Sequence, residues 1–262
     1  MGTTTGVAAL AAGERVTLAT RDGVALAGRW WPAAGPARAA AVVAHGFTAH
    51  KDEPRVVATA LALRDAGFDV LAYDGRGHGE SGGLCTLGDA ERLDVAAAVA
   101  AASVAGRPVV AIGASMGAVA VLRHAVENPR LGGVVLVSCP ARWRLHSARS
   151  VLAAGLTMTR PGRWFVASRM GVRLAPRWTN PLPPEALAGL VPGPLAIVHG
   201  RDDRFMPVAE AERLHRRARG PRRIEIVPDM GHAYDEAAIP AIVAAAEWAL
   251  EASAAGDRDR PR

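Results

Sequence analysis

The sequence predicts an α/β fold: an eight-stranded, mostly parallel sheet with helices on both faces and a helical cap inserted after the sixth strand. Three observations lead there. Short β-rich runs alternate with longer Ala/Leu/Val segments of helical period, the rhythm of a sheet covered on both sides. A hairpin signal stands near the start of the chain. One long stretch, Ala141 to Pro192, breaks the rhythm with helical pieces and several prolines, while its neighbours on either side continue the same sheet.

Taken in order, Arg15 to Thr20 and Val24 to Trp31 flank Arg21-Asp22-Gly23, a turn that joins two antiparallel strands. Ala39 to Ala44 is the third strand. Arg55 to Ala66 then reads as a helix, Asp69 to Tyr73 as a strand, Asp89 to Ala105 as a helix and Val109 to Gly113 as a strand. Helix Met116 to Glu127, closed by Pro129, leads to strand Gly133 to Ser138. After the cap come strand Leu195 to His199, helix Ala209 to Arg219 ending at Gly220, strand Arg223 to Val227 and helix Ile239 to Ser253. The core is therefore expected over residues 14–140 and 193–254, with the cap over 141–192. Residues 1–13 are expected as a flexible start and 255–262 as a disordered, charged tail.

Half of the 262 residues are hydrophobic and 21% are charged, a balance that supports one globular domain with a large core. A formal charge of +6 would suit nucleic acid or an anionic surface. Lys51 is the only lysine, however, and the remaining basic side chains are arginines in a chain weighted to Ala, Gly and Arg, so biased codon usage is a sufficient source for much of the excess. Nucleic acid is not expected as a partner. Cys85 and Cys139 are too few for a disulfide framework and too far apart for a paired-cysteine zinc site. Met1 to Gly13 lacks the basic start and apolar centre of a signal peptide, and no other stretch reads as a bilayer span. A soluble, cytoplasmic protein without stable membrane insertion is expected.

The chemistry centres on Gly113-Ala114-Ser115-Met116-Gly117, a G-x-S-x-G run between a strand and a helix. A serine in that turn is lifted above the sheet at a helix N-terminus, where amide dipoles favour developing negative charge. Such a hydroxyl needs a base within reach, itself oriented by a carboxylate. Carboxylates follow the seventh strand in Gly200-Arg201-Asp202-Asp203, and a histidine follows the eighth in Pro228-Asp229-Met230-Gly231-His232.

With His45-Gly46-Phe47 after the third strand and Asp74-Gly75-Arg76-Gly77-His78-Gly79-Glu80-Ser81 after the fourth, these motifs resemble the α/β-hydrolase superfamily from Arg15 to Ser253. The chain is most similar to its esterase, monoglyceride-lipase and serine-aminopeptidase-like branch. The resemblance implies Ser115 as nucleophile, His232 as base and Asp203 as the acid that orients it, with Asp202 as competitor for the last role. It also implies the Phe47 and Met116 amides as an oxyanion hole. His45, His78 and His199 read as structural, His124 and His215 as ordinary helix residues, and His50 and His146 carry no role. No metal or organic cofactor is implied. The expected activity is hydrolysis of a carboxylic ester or related acyl bond through an acyl-enzyme, with thioester and aminoacyl amide bonds as alternatives on the same triad. A binding protein with a silent site is the alternative of another class.

From Ala141 to Pro184 the cap carries Arg142, Arg144, Arg149, Arg160, Arg163, Arg169, Arg173 and Arg177 and no carboxylate. Two readings stand: attraction of an anionic small-molecule acyl substrate or an acidic membrane surface, or codon bias with arginines solvated or paired elsewhere. Trp143, Trp164 and Phe165 are the candidate substrate-binding residues, with a small cap core as the alternative.

Overall fold

The computed structural model describes residues 13–103, 106–144, 148–177 and 181–258. Eight strands form one open sheet: β1 (Glu14–Ala19), β2 (Ala25–Trp31), β3 (Ala39–Ala44), β4 (Phe68–Tyr73), β5 (Val109–Ala114), β6 (Gly133–Val137), β7 (Leu195–Gly200) and β8 (Arg222–Val227). Their spatial order is β1-β2-β4-β3-β5-β6-β7-β8. β2 runs antiparallel to β1 and β4, and all other pairings are parallel, so the expected sheet is the one observed. The described helices are α1 (Pro54–Asp65), α2 (Glu91–Ala102), α3 (Met116–Glu127), α4 (Ala148–Met158), α5 (Arg160–Met170), α6 (Pro184–Ala188), α7 (Val208–Arg217) and α8 (Ile239–Arg258).

The hairpin forms where expected because its polar residues satisfy the turn locally. The Thr20 hydroxyl donates to Asp22 Oδ1 at 2.6 Å and accepts from the Val24 amide at 2.9 Å. Gly23 supplies the positive φ, 81°, that the turn requires. At the centre of the sheet, β3 and β5 are buried at every position, which is why both read as continuous apolar runs rather than alternating ones. Successive side chains still point to opposite faces. Val42, Leu71, Ala111, Leu136 and Ile197 pack with α2, α3, α6 and α7. Val43, Val70, Ile112, Val135 and Val198 pack with α1 and α8 on the other side.

Two expectations need correction at the C-terminus. α8 continues to Arg258, so the stretch expected as a disordered tail begins as helix; 259–262 lie outside the described residues, as do 1–12. The segment Glu236–Gly256 is also long and apolar enough, by length and composition, to cross a bilayer. It rests on the sheet instead, through Ala241, Ile242, Ala245 and Ala246.

The interruption after β6 divides into two parts. α4 and α5 form a hairpin standing off the sheet, their backbones so close that a Cβ on Gly162 would lie 2.5 Å from Gly155 O. α6, expected within the cap, instead packs into the core through Leu187 and Ala188. Both stems of the insertion are tied down. The Ala141 and Arg142 amides donate to Glu210 Oε2 at 2.8 and 3.0 Å, the Arg142 guanidinium donates to Oε1 at 3.2 Å, and the Glu185 amide donates to Ala141 O at 2.9 Å. Farther along, Arg173 N donates to Gly77 O and Cys85 N to Arg173 O, at 2.8 and 2.7 Å, stitching the end of the hairpin to the loop after β4.

Glu210 is fully buried, and these donors satisfy the oxygens of its carboxyl group. Glu210→Ala leaves two amides and a guanidinium without their acceptor and should cost about 3 kcal/mol, read as a lower urea midpoint at unchanged slope; an unchanged midpoint would show that the stem does not depend on it.

Candidate active site

The strand β5 turns into α3 with almost no room. A Cβ on Gly113 would sit 2.4 Å from Gly117 O, and one on Gly117 would sit 2.4 Å from Ala44 O and 2.5 Å from His45 O. Only glycines let the turn close on itself and on the end of β3. Ser115, between them, has φ 50° and ψ −111°, a conformation that a non-glycine residue holds at a cost of about 1–3 kcal/mol and that the surroundings must enforce. Its amide donates to Val137 O at 2.9 Å, and its carbonyl accepts the first bonds of α3 from Ala118 and Val119.

His232 and Asp203 meet across the loops after β8 and β7: His232 Nδ1 lies 2.7 Å from Asp203 Oδ2. The Asp203 side chain is fully buried, and its Oδ1 accepts from the Phe205 and Met206 amides at 2.8 and 2.9 Å. Burial works to raise this carboxyl, but its hydrogen bond and charge interaction with His232 and the two amides hold it below its ordinary value. An ionised Asp203 makes Nδ1 the protonated nitrogen and leaves Nε2 as the free acceptor. Asp202 does not share this position. It is exposed, and its amide donates to Met230 O at 3.1 Å. The Phe205 ring packs on the imidazole with centroids 5.0 Å apart. On the far side, the Ala233 amide donates to the Ser138 hydroxyl at 3.1 Å, and the Tyr234 hydroxyl donates to Ala44 O at 3.0 Å, pinning the histidine loop to the ends of β3 and β6.

Opposite this loop lies His45-Gly46-Phe47. His45 Nε2 accepts from the Gly75 amide at 2.9 Å, so Nδ1 carries the proton and donates to Gly46 O at 2.8 Å. Burial lowers its pKa and keeps the ring neutral, as that bonding pattern requires. Behind it, Lys51 is 2% exposed and reaches Asp74, Glu80 and Asp52 at 2.9, 2.6 and 3.0 Å. Burial opposes its charge, but these partners hold the ammonium above its ordinary value. Arg76 is likewise buried, donating to Asp94 at 2.8 Å and to both Asp22 oxygens at 2.8 and 3.0 Å. The loop after β4 thus joins the hairpin turn, α2 and the Phe47 loop. Among the described residues, no group accepts from the Phe47 or Met116 amide.

Ser115, His232, Gly46 and Phe47 line one cleft of about 280 Å³, together with Thr48, His50, Glu53, Arg55 and Val56. Sequence reasoning brought the first four together and missed His50, Glu53 and Arg55, which carry no motif of their own. The aromatic candidates lie elsewhere. Trp143 donates through Nε1 to Pro181 O at 2.7 Å and packs against the main core, while Trp164 and Phe165 are 72% and 41% exposed on α5. None of the three lines the cleft. The cap approaches it through Leu156 and Val166, which pack with Phe47, Met116 and Cys85. No described cap arginine lines it either: Arg142 pairs with Glu210, and Arg163 donates to Met158 O. His146 and Trp178 lie outside the described residues. Among those described, no cluster of His, Cys, Asp or Glu has the makings of a metal site.

Against known proteins, residues 35–183 match the model of the hydrolase family described as serine aminopeptidase, S33. The Bacillus subtilis protein YqkD, itself uncharacterised, is 31% identical over 187 residues, 64% of this chain and 57% of YqkD, so the chain spans little more than half of that relative. Rv2307c of Mycobacterium tuberculosis, also uncharacterised, is 28% identical over 230 residues, 85% of this chain and 73% of its own length. Among solved structures, the Pyrococcus furiosus esterase Pf2001 superposes with a TM-score of 0.67 at 23% identity, covering 94% of this chain and 91% of the esterase. Est1E of Butyrivibrio proteoclasticus, bound to ferulic acid, gives 0.66 at 20% identity, covering 91% of this chain and 100% of Est1E.

The buried histidines make the site acid-sensitive. Burial pulls His78 down from 6.5 to about 4, so between those values the unfolded chain holds a proton that the folded one does not. Stability should therefore fall as pH drops from 6.5 to 4, His78 contributing about 3 kcal/mol of the loss and nothing above that window. Urea midpoints across this range should show a shallower decline in His78→Asn; an identical decline would remove His78 as its source.

Proposed function

The chain belongs to the serine aminopeptidase S33 family of α/β hydrolases, and we propose that within it the protein is a serine esterase that cleaves carboxylic esters through an acyl-enzyme on Ser115. The observation that carries the reading is the 2.7 Å contact between His232 Nδ1 and the buried Asp203 carboxylate, beside a cleft that His232 shares with Ser115. Asp203 fixes the tautomer, so Nε2 has the lone pair that can take the Ser115 proton as Oγ attacks the acyl carbon. The tetrahedral oxyanion then accepts from the Phe47 and Met116 amides, each worth about 3–4 kcal/mol of barrier. Protonated His232 returns its proton to the departing alkoxide, and water repeats the sequence to release the acid.

The acyl substrate is a small molecule, and an anionic one is proposed on the strength of Arg55. This exposed side chain lines the cleft, and among the described residues no carboxylate pairs with it. Attraction of an anionic substrate, one of the two readings of the cap arginines, thus falls to Arg55 rather than to the cap, none of whose described arginines lines the cleft. A thioester or aminoacyl amide would use the same three groups.

In a chromogenic ester assay, Ser115→Ala and His232→Ala should lower kcat by at least about 10⁴-fold and abolish labelling by a fluorophosphonate, and Asp203→Asn should lower kcat by about 10³–10⁴-fold. Asp202→Asn should stay within about threefold of the parent. Failure of Ser115 to label in folded protein would refute the hydrolase reading and leave a binding protein on this fold. For specificity, Arg55→Ala should raise KM for half-esters of dicarboxylic acids by about tenfold while sparing neutral esters of the same length; equal effects on both series would sink the anionic preference and leave the esterase reading intact.

A further inference from the structure

The α4–α5 hairpin presents an outer face that the rest of the molecule leaves uncovered. Val151, Leu152, Met158, Trp164, Phe165 and Met170 are 56, 64, 64, 72, 41 and 43% exposed. Scattered single apolar residues on a surface need no explanation, but these six large ones are gathered on two short helices packed against each other. Their setting is equally one-sided. From Ala141 to Pro184 the chain carries eight arginines and no carboxylate. On this hairpin no described carboxylate pairs with Arg160, Arg163 or Arg169. The inner face is already used, since Leu156 and Val166 pack with Phe47 and Met116 at the cleft.

We propose that this hairpin is a docking surface for an anionic phospholipid bilayer, seated in the interface with its apolar side chains among the headgroups and acyl boundary and its arginines on lipid phosphates. Long apolar and aromatic side chains beside unpaired arginines are the two components such an interfacial element requires, one providing buried area and the other attraction to anionic headgroups. Trp164, the most exposed of the six, has the amphipathic ring that favours the headgroup region. Charge decides against other occupants. Two copies of the face would set arginines against arginines, and a nucleic-acid backbone would satisfy the arginines but leave Val151, Leu152, Met158 and Met170 in water. Only the hairpin needs to enter the interface, so docking is peripheral and reversible. It would bring the cleft on the inner side of the hairpin close to the membrane surface.

Co-sedimentation of the whole protein with vesicles tests this directly, using phosphatidylcholine alone and phosphatidylcholine with 30 mol% phosphatidylglycerol. Binding should be at least about tenfold stronger to the anionic vesicles and should weaken as salt rises. Trp164→Ala/Phe165→Ala and Arg160→Gln/Arg169→Gln should each lose about tenfold or more, with thermal unfolding unchanged from the parent to show that the fold is intact. Equal binding to both vesicle types, no binding to either, or undiminished binding of both double variants would overturn the proposal. So would light scattering that shows a dimer disrupted by Trp164→Ala/Phe165→Ala, which would make the patch a self-association face instead.

Discussion

Everything at the site depends on how closely the Ser115 turn packs against the end of β3. With Gly117 touching the Ala44 and His45 carbonyls, the start of α3 is held against the neighbouring strand. Ser115 can then keep a backbone conformation it would leave if it were free. The same contact fixes the distance between the α3 N-terminus and the Phe47 loop, because His45 belongs to both the contact and the loop. Strain at the serine and placement of the two amides are therefore one constraint seen from two sides. The central strands make it possible: β3 and β5 are so completely buried that their ends cannot shift without moving the core.

Around this rigid centre, the loops are secured by buried charges rather than by apolar packing. Lys51 with Asp74 and Arg76 with Asp94 and Asp22 connect segments far apart in sequence: the hairpin turn, the loops after β3 and β4, and helix α2. Buried ion pairs add little net stability compared with apolar replacements, but removing one member is costly, so they enforce a particular arrangement. Arg173 extends the arrangement to the cap by donating to Ser81 O. Loops that must expose polar backbone to a substrate cannot be fixed by hydrophobic burial, and hydrogen-bonded charge fills that role here.

The sheet could be read from the chain because burial on both faces leaves unbroken apolar runs at Ala39–Ala44 and Val109–Ala114, while turn residues mark their ends. Helix α3 was likewise legible to the residue, since its start is set by the serine motif. Choosing between Asp202 and Asp203 was harder, because adjacent residues in a loop point in different directions and only the three-dimensional path turns one toward His232. The cleft was the least legible part. It forms where the start of α1 meets the loops after β3 and β8, and no local pattern announces that His50, Glu53 and Arg55 will face Ser115. Helical apolar spacing in the cap does not separate a pocket from packing: Trp143 serves the core, and Trp164 and Phe165 face outward.

The burial of Lys51 reaches beyond the site. Because it is the chain's single lysine and lies in a cage of carboxylates at 2% exposure, no side-chain amine is presented at the surface. Reagents and enzymes that acylate, cross-link or conjugate lysine side chains meet none to attack on the folded protein. Apart from Lys51, the permanently charged basic side chains are all guanidinium groups, weakly hydrated and unable to lose their proton at any physiological pH. The surface therefore keeps its basic character where an amine-bearing one would be open to covalent neutralisation.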